Sequence, residues 1–264
     1  MLESLKGAWR YRQFIATSIR YELVTRFARS RIGGAWMIIH PLSMVLIYAL
    51  ILSTVLSAKL PGIESQYAYA IYLTAGMLGW SLFSDILNRC LAVFIENANL
   101  MKKLVFPKIA LPVIITGSCL INNIALFAVI LVVFSVLGHF TPMTLFWVPI
   151  LTSITVLLAL GLGLILGILN VFIRDIGQLM PIVMQFLFWF TPVVYPAEIV
   201  PSALQSLLAF NPLFHLIEAY HSVLAYGQSP SLLVLTCLTL LGATLVISSA
   251  VLFRKASPEM VDAL

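Results

Sequence analysis

The sequence predicts an all-α protein that crosses a membrane six times. Of its 264 residues, 61% are hydrophobic and 9% are charged, whereas a soluble domain carries about a quarter charged residues. Six apolar runs reach, or nearly reach, the roughly 20 residues that a helix needs to cross a hydrocarbon core of about 30 Å. Lys and Arg are concentrated in alternate connections between these runs, which is typical of a multi-pass membrane protein.

Residues 1–34 are predicted to form a cytoplasmic interface region built on one amphipathic helix. Apolar side chains recur every four residues from Tyr11 to Phe27, which places them along one slowly spiralling side of an α-helix. A basic helix of this kind lies in the plane of a membrane surface, with its arginines toward lipid phosphate. The alternative is a positive flank that only sets the topology of the first span. The arginines expected on the polar side are Arg20, Arg26, Arg29 and Arg31.

The six predicted spans follow this helix within a single membrane domain, residues 1–264. They cover residues 36–58, 69–95, 109–137, 145–173, 179–194 and 232–253. With the N-terminus in the cytoplasm, 14 of the 15 Lys and Arg residues fall on the cytoplasmic side and only Lys59 falls outside. Both termini are therefore predicted to be cytoplasmic.

The cytoplasmic connection between the second and third spans, residues 96–107, is predicted to contain a short helix. It includes the pair Lys102–Lys103 and ends at Pro107, and a proline at this place closes a helix. Such a helix is suited to contact another protein. The alternative is an ordinary basic inner loop.

Residues 195–230 carry no Lys or Arg but are rich in apolar residues. Two short amphipathic helices, about 202–209 and 213–225, are predicted here, and both are too short to span a bilayer. We expect them to dip into the outer leaflet as a re-entrant hairpin, which is tolerated only where protein buries it. The polar groups of this hairpin either form its solvent-exposed face at the membrane interface or have a functional role. They are Glu198, His215, Glu218 and His221.

Polar and small residues within the spans are predicted to hold helices together. Asp85 and Arg89 lie four residues apart in the second span and could pair on one helix face. The alternative is a role in a pore, because charges inside a membrane usually face protein or water. Gly161, Gly163 and Gly167 permit close helix approach and are expected to pack within the subunit.

Several function classes are disfavoured. The three cysteines lie singly in apolar runs, without the spacing of a metal site or a disulfide framework. The G-x-x-x-x-G-K-[ST] pattern of a nucleotide-binding P-loop does not occur. The sequence pI of about 9.2 would suit nucleic acid, but the basic residues follow the membrane topology, so no nucleic-acid partner is expected.

Five stretches, in register over nearly the whole chain, together resemble one family. They are residues 20–42, which begin with RYE and end with HPL, 97–107 (NANLMKKLVFP), 172–177 (FIRDIG), 191–196 (TPVVYP) and 211–220 (NPLFHLIEAY). In these stretches the chain is similar to the membrane subunit of bacterial ABC exporters of the ABC-2 type that carry O-antigen or capsular polysaccharide. One departure is His221, where the family more often has a basic residue.

The resemblance implies a homodimer of six-span subunits in a bacterial inner membrane, with two copies of a separate ATPase subunit beneath it. ATP would drive a lipid-linked polysaccharide across the membrane. ATP and Mg would be bound by the partner ATPase, and no cofactor, metal or catalytic residue is expected in this chain. Residues 96–107 would be the coupling contact with the ATPase. Its residues are Asn99, Leu100, Met101, Lys102, Lys103, Phe106 and Pro107.

In such an exporter, aromatic rings could stack on sugar C–H faces and let a polymer slide, and the N-terminal helix could guard the entrance. The alternative for each ring is a place in the interfacial aromatic belt or in the core. The rings expected on the path are Trp36, Tyr48, Tyr72, Trp80, Phe83 and Trp189.

Two other functions remain open from the sequence. One is an ABC-2 permease for a lipid or a drug. The other is a membrane-embedded acyl- or glycosyltransferase, which would need a cluster of His, Asp or Glu near one membrane face. In this chain only Glu198, His215, Glu218 and His221 could supply such a cluster.

Overall fold

The computed structural model describes residues 11–27, 30–47, 68–103, 110–139, 142–197, 200–201, 205 and 207–263. The regular structure in these residues is helical throughout, without a strand. The predicted all-α fold class is therefore confirmed for the part of the chain that the structure describes.

The helices are numbered in chain order. They are α1 (Arg12–Phe27), a 3₁₀ turn (Gly33–Ala35), α2 (Trp36–Ile47), α3 (Ala68–Glu96), α4 (Ala98–Lys103), α5 (Ala110–Val136), α6 (Met143–Phe172), α7 (Asp175–Phe190), α8 (Pro212–Leu224) and α9 (Leu232–Ala263).

Four of these helices, α3, α5, α6 and α9, are long and apolar enough to cross a membrane. Helix α7 is a shorter apolar helix of 16 residues, where the sequence predicts the fifth span. The predicted first span, residues 36–58, is described only as far as Ile47, so its remaining length lies outside the described residues.

Helices α3 and α6 form the centre of the described bundle. Helix α6 packs along α3 on one side and along α9 on another, while α5 and α8 pack on α3. Helix α3 is enclosed by these neighbours, and side chains such as Leu78 and Ile86 are fully buried. Outward-facing residues of α5 and α9 remain exposed, among them Val132 and Leu240. Such apolar outer faces are suited to lipid or to another subunit.

Glycines on α6 allow the helices at the centre to approach closely. A Cβ at Gly167 would lie 2.3 Å from the backbone oxygen of Cys90 on α3, and one at Gly163 would lie 2.9 Å from the Cys90 Cβ. A Cβ at Gly161 would instead lie 2.6 Å from the Cβ of Leu245 on α9. The three glycines thus serve two neighbouring helices, and their predicted packing role within the subunit is confirmed.

Buried amide side chains hold the central helices in register. Asn123 on α5 donates from Nδ2 to the Leu78 carbonyl on α3, at 2.9 Å. Asn170 on α6 donates to the Leu91 carbonyl on α3 at 3.1 Å and accepts from the backbone N–H of Gly177 on α7 at 2.8 Å. Because an unpaired amide inside an apolar bundle is costly, each bond favours one relative position of the two helices that it joins.

Helix α8 lies in the connection between α7 and α9. Asn211 caps its first turn, because the Asn211 side chain accepts a hydrogen bond from the Leu213 N–H at 3.0 Å. Pro212 occupies a first-turn position, where a backbone N–H would have no partner within the helix, so the lack of one in proline costs no hydrogen bond. The second of the two short helices predicted here is thus confirmed, whereas the first, about residues 202–209, lies largely outside the described residues.

Helix α8 is buried against α3 and α6. Leu216, Val223 and Tyr220 are fully enclosed, and the Tyr220 hydroxyl lies 3.2 Å from the hydroxyl of Thr155 on α6. Helix α8 therefore contributes to the core of the described bundle.

A substitution tests the α3–α6 contact. We expect Gly167→Ala to destabilise the protein by about 1–3 kcal/mol, the usual cost of overpacking, because the new methyl group would meet backbone rather than a movable side chain. Gly34→Ala is the matched control, since nothing lies within 4 Å of its Cβ position. Thermal unfolding of the detergent-purified variants measures the difference, and equal stabilities would contradict the close contact.

Candidate functional site

A charged cluster joins α1 to the central bundle. Arg89 on α3 forms an ion pair with Glu22 on α1. The Nη1 group of Arg89 also donates to the Ser118 hydroxyl on α5, at 2.6 Å, and the Ser118 Oγ lies 3.2 Å from Glu22 Oε1. Three helices thus meet at one guanidinium group.

The sequence predicts Asp85 as a possible partner of Arg89 on the same helix, whereas the ion pair that the structure gives Arg89 is with Glu22 on another helix. The i,i+4 rule finds only partners on the same helix, so it could not identify Glu22. Glu22 lies on the predicted interface helix, among exposed residues such as Tyr21. The available signal was its spacing, because Glu22 follows Ile15 and Ile19 by seven and three residues and so shares their side of the helix.

The ion pair borders a cavity of about 450 Å³. Its lining is polar on all three sides, with residues from α1, α3 and α5. The lining residues are Glu22, Thr25, Asp85, Arg89, Cys119 and Asn122. Three charged residues therefore gather here in a chain in which 9% of the residues are charged, which makes this cavity the best candidate for a functional site.

Helix α1 is held on α5 through its apolar side. The Ile19 side chain fills the space left by Gly117 on α5, where a Cβ would lie 2.4 Å from Ile19 Cδ1, and Ile15 is buried. Of the predicted arginines, Arg20 and Arg31 are exposed, whereas the side chains of Arg26 and Arg29 lie outside the described residues. The helix is thus amphipathic, and protein covers part of the apolar side that was expected to face lipid.

Helix α4 forms within the connection between α3 and α5, where the sequence predicts a short helix. Asn99 and Lys102 on α4 are exposed, but Met101 is 5% exposed. Met101 belongs to the same buried cluster as Met260 of α9, and α4 contacts α9. The Met101 side chain is therefore packed within the subunit in this structure, and its predicted part in the coupling contact stays a prediction.

The other predicted coupling residues lie outside what the structure describes. They are the Leu100 and Lys103 side chains and the whole of Phe106 and Pro107.

The predicted path rings divide into buried and exposed ones. Tyr72, Trp80 and Phe83 are 4%, 8% and 2% exposed, so in this structure they are packed within the subunit, and their contact with a glycan stays a prediction. Trp36 and Trp189 are 40% and 56% exposed. Tyr48 lies outside the described residues.

The buried rings pack against residues from other helices. Tyr72 stacks on His221 of α8, with ring centroids 3.6 Å apart and planes inclined at 18°. Trp80 meets Phe188 of α7 edge to face at 5.3 Å. Hydropathy patterns do not separate these rings from exposed ones, because both kinds lie in equally apolar stretches.

The four polar groups between α7 and α9 do not form one cluster among the described residues. His221 is buried in the stack with Tyr72, and Gly76 leaves room for it, since a Cβ there would lie 2.6 Å from His221 Nε2. Glu218 is exposed, 4.0 Å from the Nδ1 of His215, and Glu198 lies outside the described residues. This arrangement gives no support to a transferase site.

Comparison with known proteins identifies the family. The ABC-2 type transporter family matches residues 13–225. The chain is 27% identical over 212 residues to the O-antigen export system permease protein RfbA of Klebsiella pneumoniae, covering 78% of each chain. It is 23% identical over 266 residues to the protein of the same name from Myxococcus xanthus, covering 100% of each. It is 26% identical over 200 residues to the polysialic acid transport protein KpsM of Escherichia coli, covering 75% of each.

The matched region begins in α1 and ends just after α8, and so includes the charged cluster, α4 and the central bundle. This chain is a multi-pass membrane protein that belongs to the ABC-2 type transporter family.

Proposed function

We propose that this chain is the transmembrane subunit of an ATP-driven exporter that moves a lipid-linked polysaccharide, of the O-antigen or capsule type, across a bacterial inner membrane. The observation that carries the proposal is the likeness, along the full length of both chains, to an O-antigen export permease. A capsule-type relative, named for polysialic acid transport, matches three quarters of the chain. One name describes O-antigen export and the other polysialic acid transport.

The ATPase is a separate polypeptide in this proposal, and it binds the ATP and Mg. The chain lacks the G-x-x-x-x-G-K-[ST] sequence whose backbone N–H groups cradle phosphates. Helix α4 is suited to transmit its action. It exposes Asn99 and Lys102, while Met101 is buried and the helix contacts α9, so a force applied to α4 would reach the bundle.

A second copy of the chain would complete the path. Only Met180 and Met184 are buried on α7, and larger side chains such as Ile182, Phe186 and Trp189 are exposed. A 16-residue helix with so little burial is suited to face a partner subunit or a glycan. The exposed rings of Trp36 and Trp189 are the path candidates that lie open in this structure, with α1 and its arginines beside the entrance.

The proposal is tested by deleting the gene in its host. We expect surface polysaccharide to disappear while the lipid-linked glycan accumulates on the cytoplasmic side. The reintroduced gene should restore export in a host that makes the ATPase partner, and not in one that lacks it. Surface labelling and extraction of lipid-linked glycan measure the two pools. Normal surface polysaccharide in the deletion strain would contradict the proposal.

The six-span topology predicts which sites can be labelled from outside. In a Cys237→Ser background, we expect a thiol reagent that cannot cross the membrane to label Gln228→Cys, because residues 195–230 are proposed to lie on the outer side. The control is Glu259→Cys, exposed near the cytoplasmic end of α9, which should react only after the membrane is opened. The reverse pattern would overturn the topology.

The coupling role of residues 96–107 predicts a loss of docking. Lys102→Glu with Lys103→Glu should weaken binding of the ATPase, because charge complementarity acts on association and register. Adding Phe106→Ala should cost about 2 kcal/mol or more if Phe106 is a buried anchor at the interface. Co-purification of the two subunits from membranes measures docking.

The matched control for the coupling test is Lys102→Arg with Lys103→Arg, which keeps both charges and should dock normally. All variants should insert in the membrane at equal levels. If the triple variant co-purifies and exports like the parent, the contact lies elsewhere, and α1 is then the next candidate.

A path role for Trp189 predicts slower export without a defect in assembly. Trp189→Ala should reduce surface polysaccharide, whereas Trp189→Phe, which keeps a ring for stacking, should retain most of it. Parent-level export by Trp189→Ala, at equal protein and ATPase levels, would return this ring to the lipid-facing belt.

A further inference from the structure

Helix α9 has an outward side that is exposed along most of the helix. The apolar residues of this side are Leu233, Leu240, Ile247 and Val251, all of them exposed. Their spacing of seven, seven and four residues keeps them together on one side of an α-helix. From Leu233 to Val251 this side is about 27 Å long at 1.5 Å per residue. The opposite side packs along α6, so the outward side is the part of α9 that the described bundle leaves open.

Arg254 and Lys255 continue the outward side where its apolar stretch ends. Both are exposed, and they follow Val251 by three and four residues, which makes both of them its neighbours on the helix surface. Phe253 is directed into the bundle instead, because its ring stacks on that of Phe94 of α3, with centroids 5.4 Å apart. This stack fixes the rotation of α9 at this level and leaves the two cations facing outward.

The two cations have no ion-pair partner within the part of the chain that the structure describes. Glu259 follows Lys255 by four residues, a spacing that permits a pair, but the ion pairs of the described residues include neither of them, nor Arg254. The end of α6 differs, since Arg174 is followed there directly by Asp175. Helix α9 therefore presents two adjacent positive charges on one side.

The basic pair lies at the level where the hydrocarbon core would end. A core of about 30 Å takes about 20 helical residues, which reach from Leu232, the first residue of α9, to Val251. In the proposed topology the next turn lies among the phosphates of the cytoplasmic leaflet. Lys and Arg at such a level lay their carbon stems on apolar surface and keep their charged heads in the polar layer. The outward side thus offers an apolar strip to acyl chains and two cations to a phosphate.

A second copy of the chain would fit this side less well. Two copies in one membrane, related by a twofold axis along the membrane normal, bring equal depths together, so the basic pair would face the cytoplasmic level of the other copy. In the proposed topology this level carries 14 of the 15 Lys and Arg residues, against at most the 10 Asp and Glu residues of the whole chain. Like charges brought together across an interface oppose association, whereas an anionic headgroup neutralises the pair.

We propose that the outward side of α9 binds an anionic phospholipid of the cytoplasmic leaflet. The phosphate lies between Arg254, which supplies a planar fork of donors, and Lys255, which supplies a compact charge. An acyl chain lies along Val251 and Ile247. The negative surface of this leaflet attracts basic residues at the membrane border in general, and here the apolar strip in register with the pair holds the rest of the same lipid. The inference needs the proposed topology but not the export function.

Quenching by brominated lipids tests the proposal. Ser248→Cys, at an exposed position one turn before Val251, carries a fluorophore in a Cys237→Ser background, where the remaining cysteines are buried. The purified complex with the ATPase is placed in phosphatidylcholine bilayers that contain a minor fraction of brominated phosphatidylglycerol or, for comparison, of phosphatidylcholine with the same brominated chains. We expect several-fold stronger quenching by the anionic lipid, and added salt should reduce this difference by screening.

Matched variants make the result specific to the pair. Arg254→Gln with Lys255→Gln removes both charges and should abolish the difference between the two lipids. Arg254→Lys with Lys255→Arg keeps both charges and should retain it. A fluorophore at Val132→Cys, on the exposed side of α5, should be quenched equally by both lipids. Co-purification with the ATPase checks that each variant is assembled.

The contrary outcomes are distinguishable from one another. Equal quenching by both lipids at Ser248→Cys, or a difference that persists in the double glutamine variant, would mean that the pair holds no lipid. Weak quenching by both lipids would mean that protein covers this side: the ATPase if its removal restores quenching, and a second copy if it does not. Loss of the difference on adding soluble glycerol phosphate would make the pair a site for free anions. A subunit that never associates with an ATPase would contradict the export function, while the lipid measurement on the subunit alone still decides this proposal.

Discussion

The arrangement of the subunit depends on the close contact between α3 and α6. Gly163 and Gly167 bring the backbone of α6 against Cys90, one residue after Arg89, which receives α1. The same contact allows Asn170 to reach the Leu91 carbonyl and also the first turn of α7. In a lipid environment there is little hydrophobic force between helices, so contact at van der Waals distance and buried hydrogen bonds must supply the specificity. The position of the charged cluster follows from this one contact.

Three polar side chains in the bundle share one property, since each joins two or more helices. Asn123 joins α5 to α3, Asn170 joins α6 to α3, and Arg89 joins α3 to both α1 and α5. Buried polar groups are expensive when unpaired, so these bonds restrict how far the helices can slide. The cavity lies beside the last of these groups, because Glu22 and Arg89 are among the residues that line it.

The sequence is sufficient to predict the properties that depend on local composition. Long apolar runs predict α3, α5, α6 and α9, and the Asn-Pro pair predicts the start of α8. Properties that depend on which side of a helix is covered are harder. Tyr72 and Trp189 both lie in aromatic, apolar stretches, yet one is 4% and the other 56% exposed. The Glu22–Arg89 pair was missed because 67 residues separate its members, and hydrogen-bonding capacity alone does not indicate a partner at such a distance.

The contact between α4 and α9 links a short helix to the longest helix of the described bundle. Helix α9 continues without interruption from Leu232 to Ala263, 32 residues, which is about 48 Å at 1.5 Å per residue. A tilt of about 5° around one end would displace the other end by roughly 4 Å over that length. Helix α9 also packs along α6 for much of its length, which resists bending. A tilt of α9 imposed at its basic end would therefore also move its opposite end.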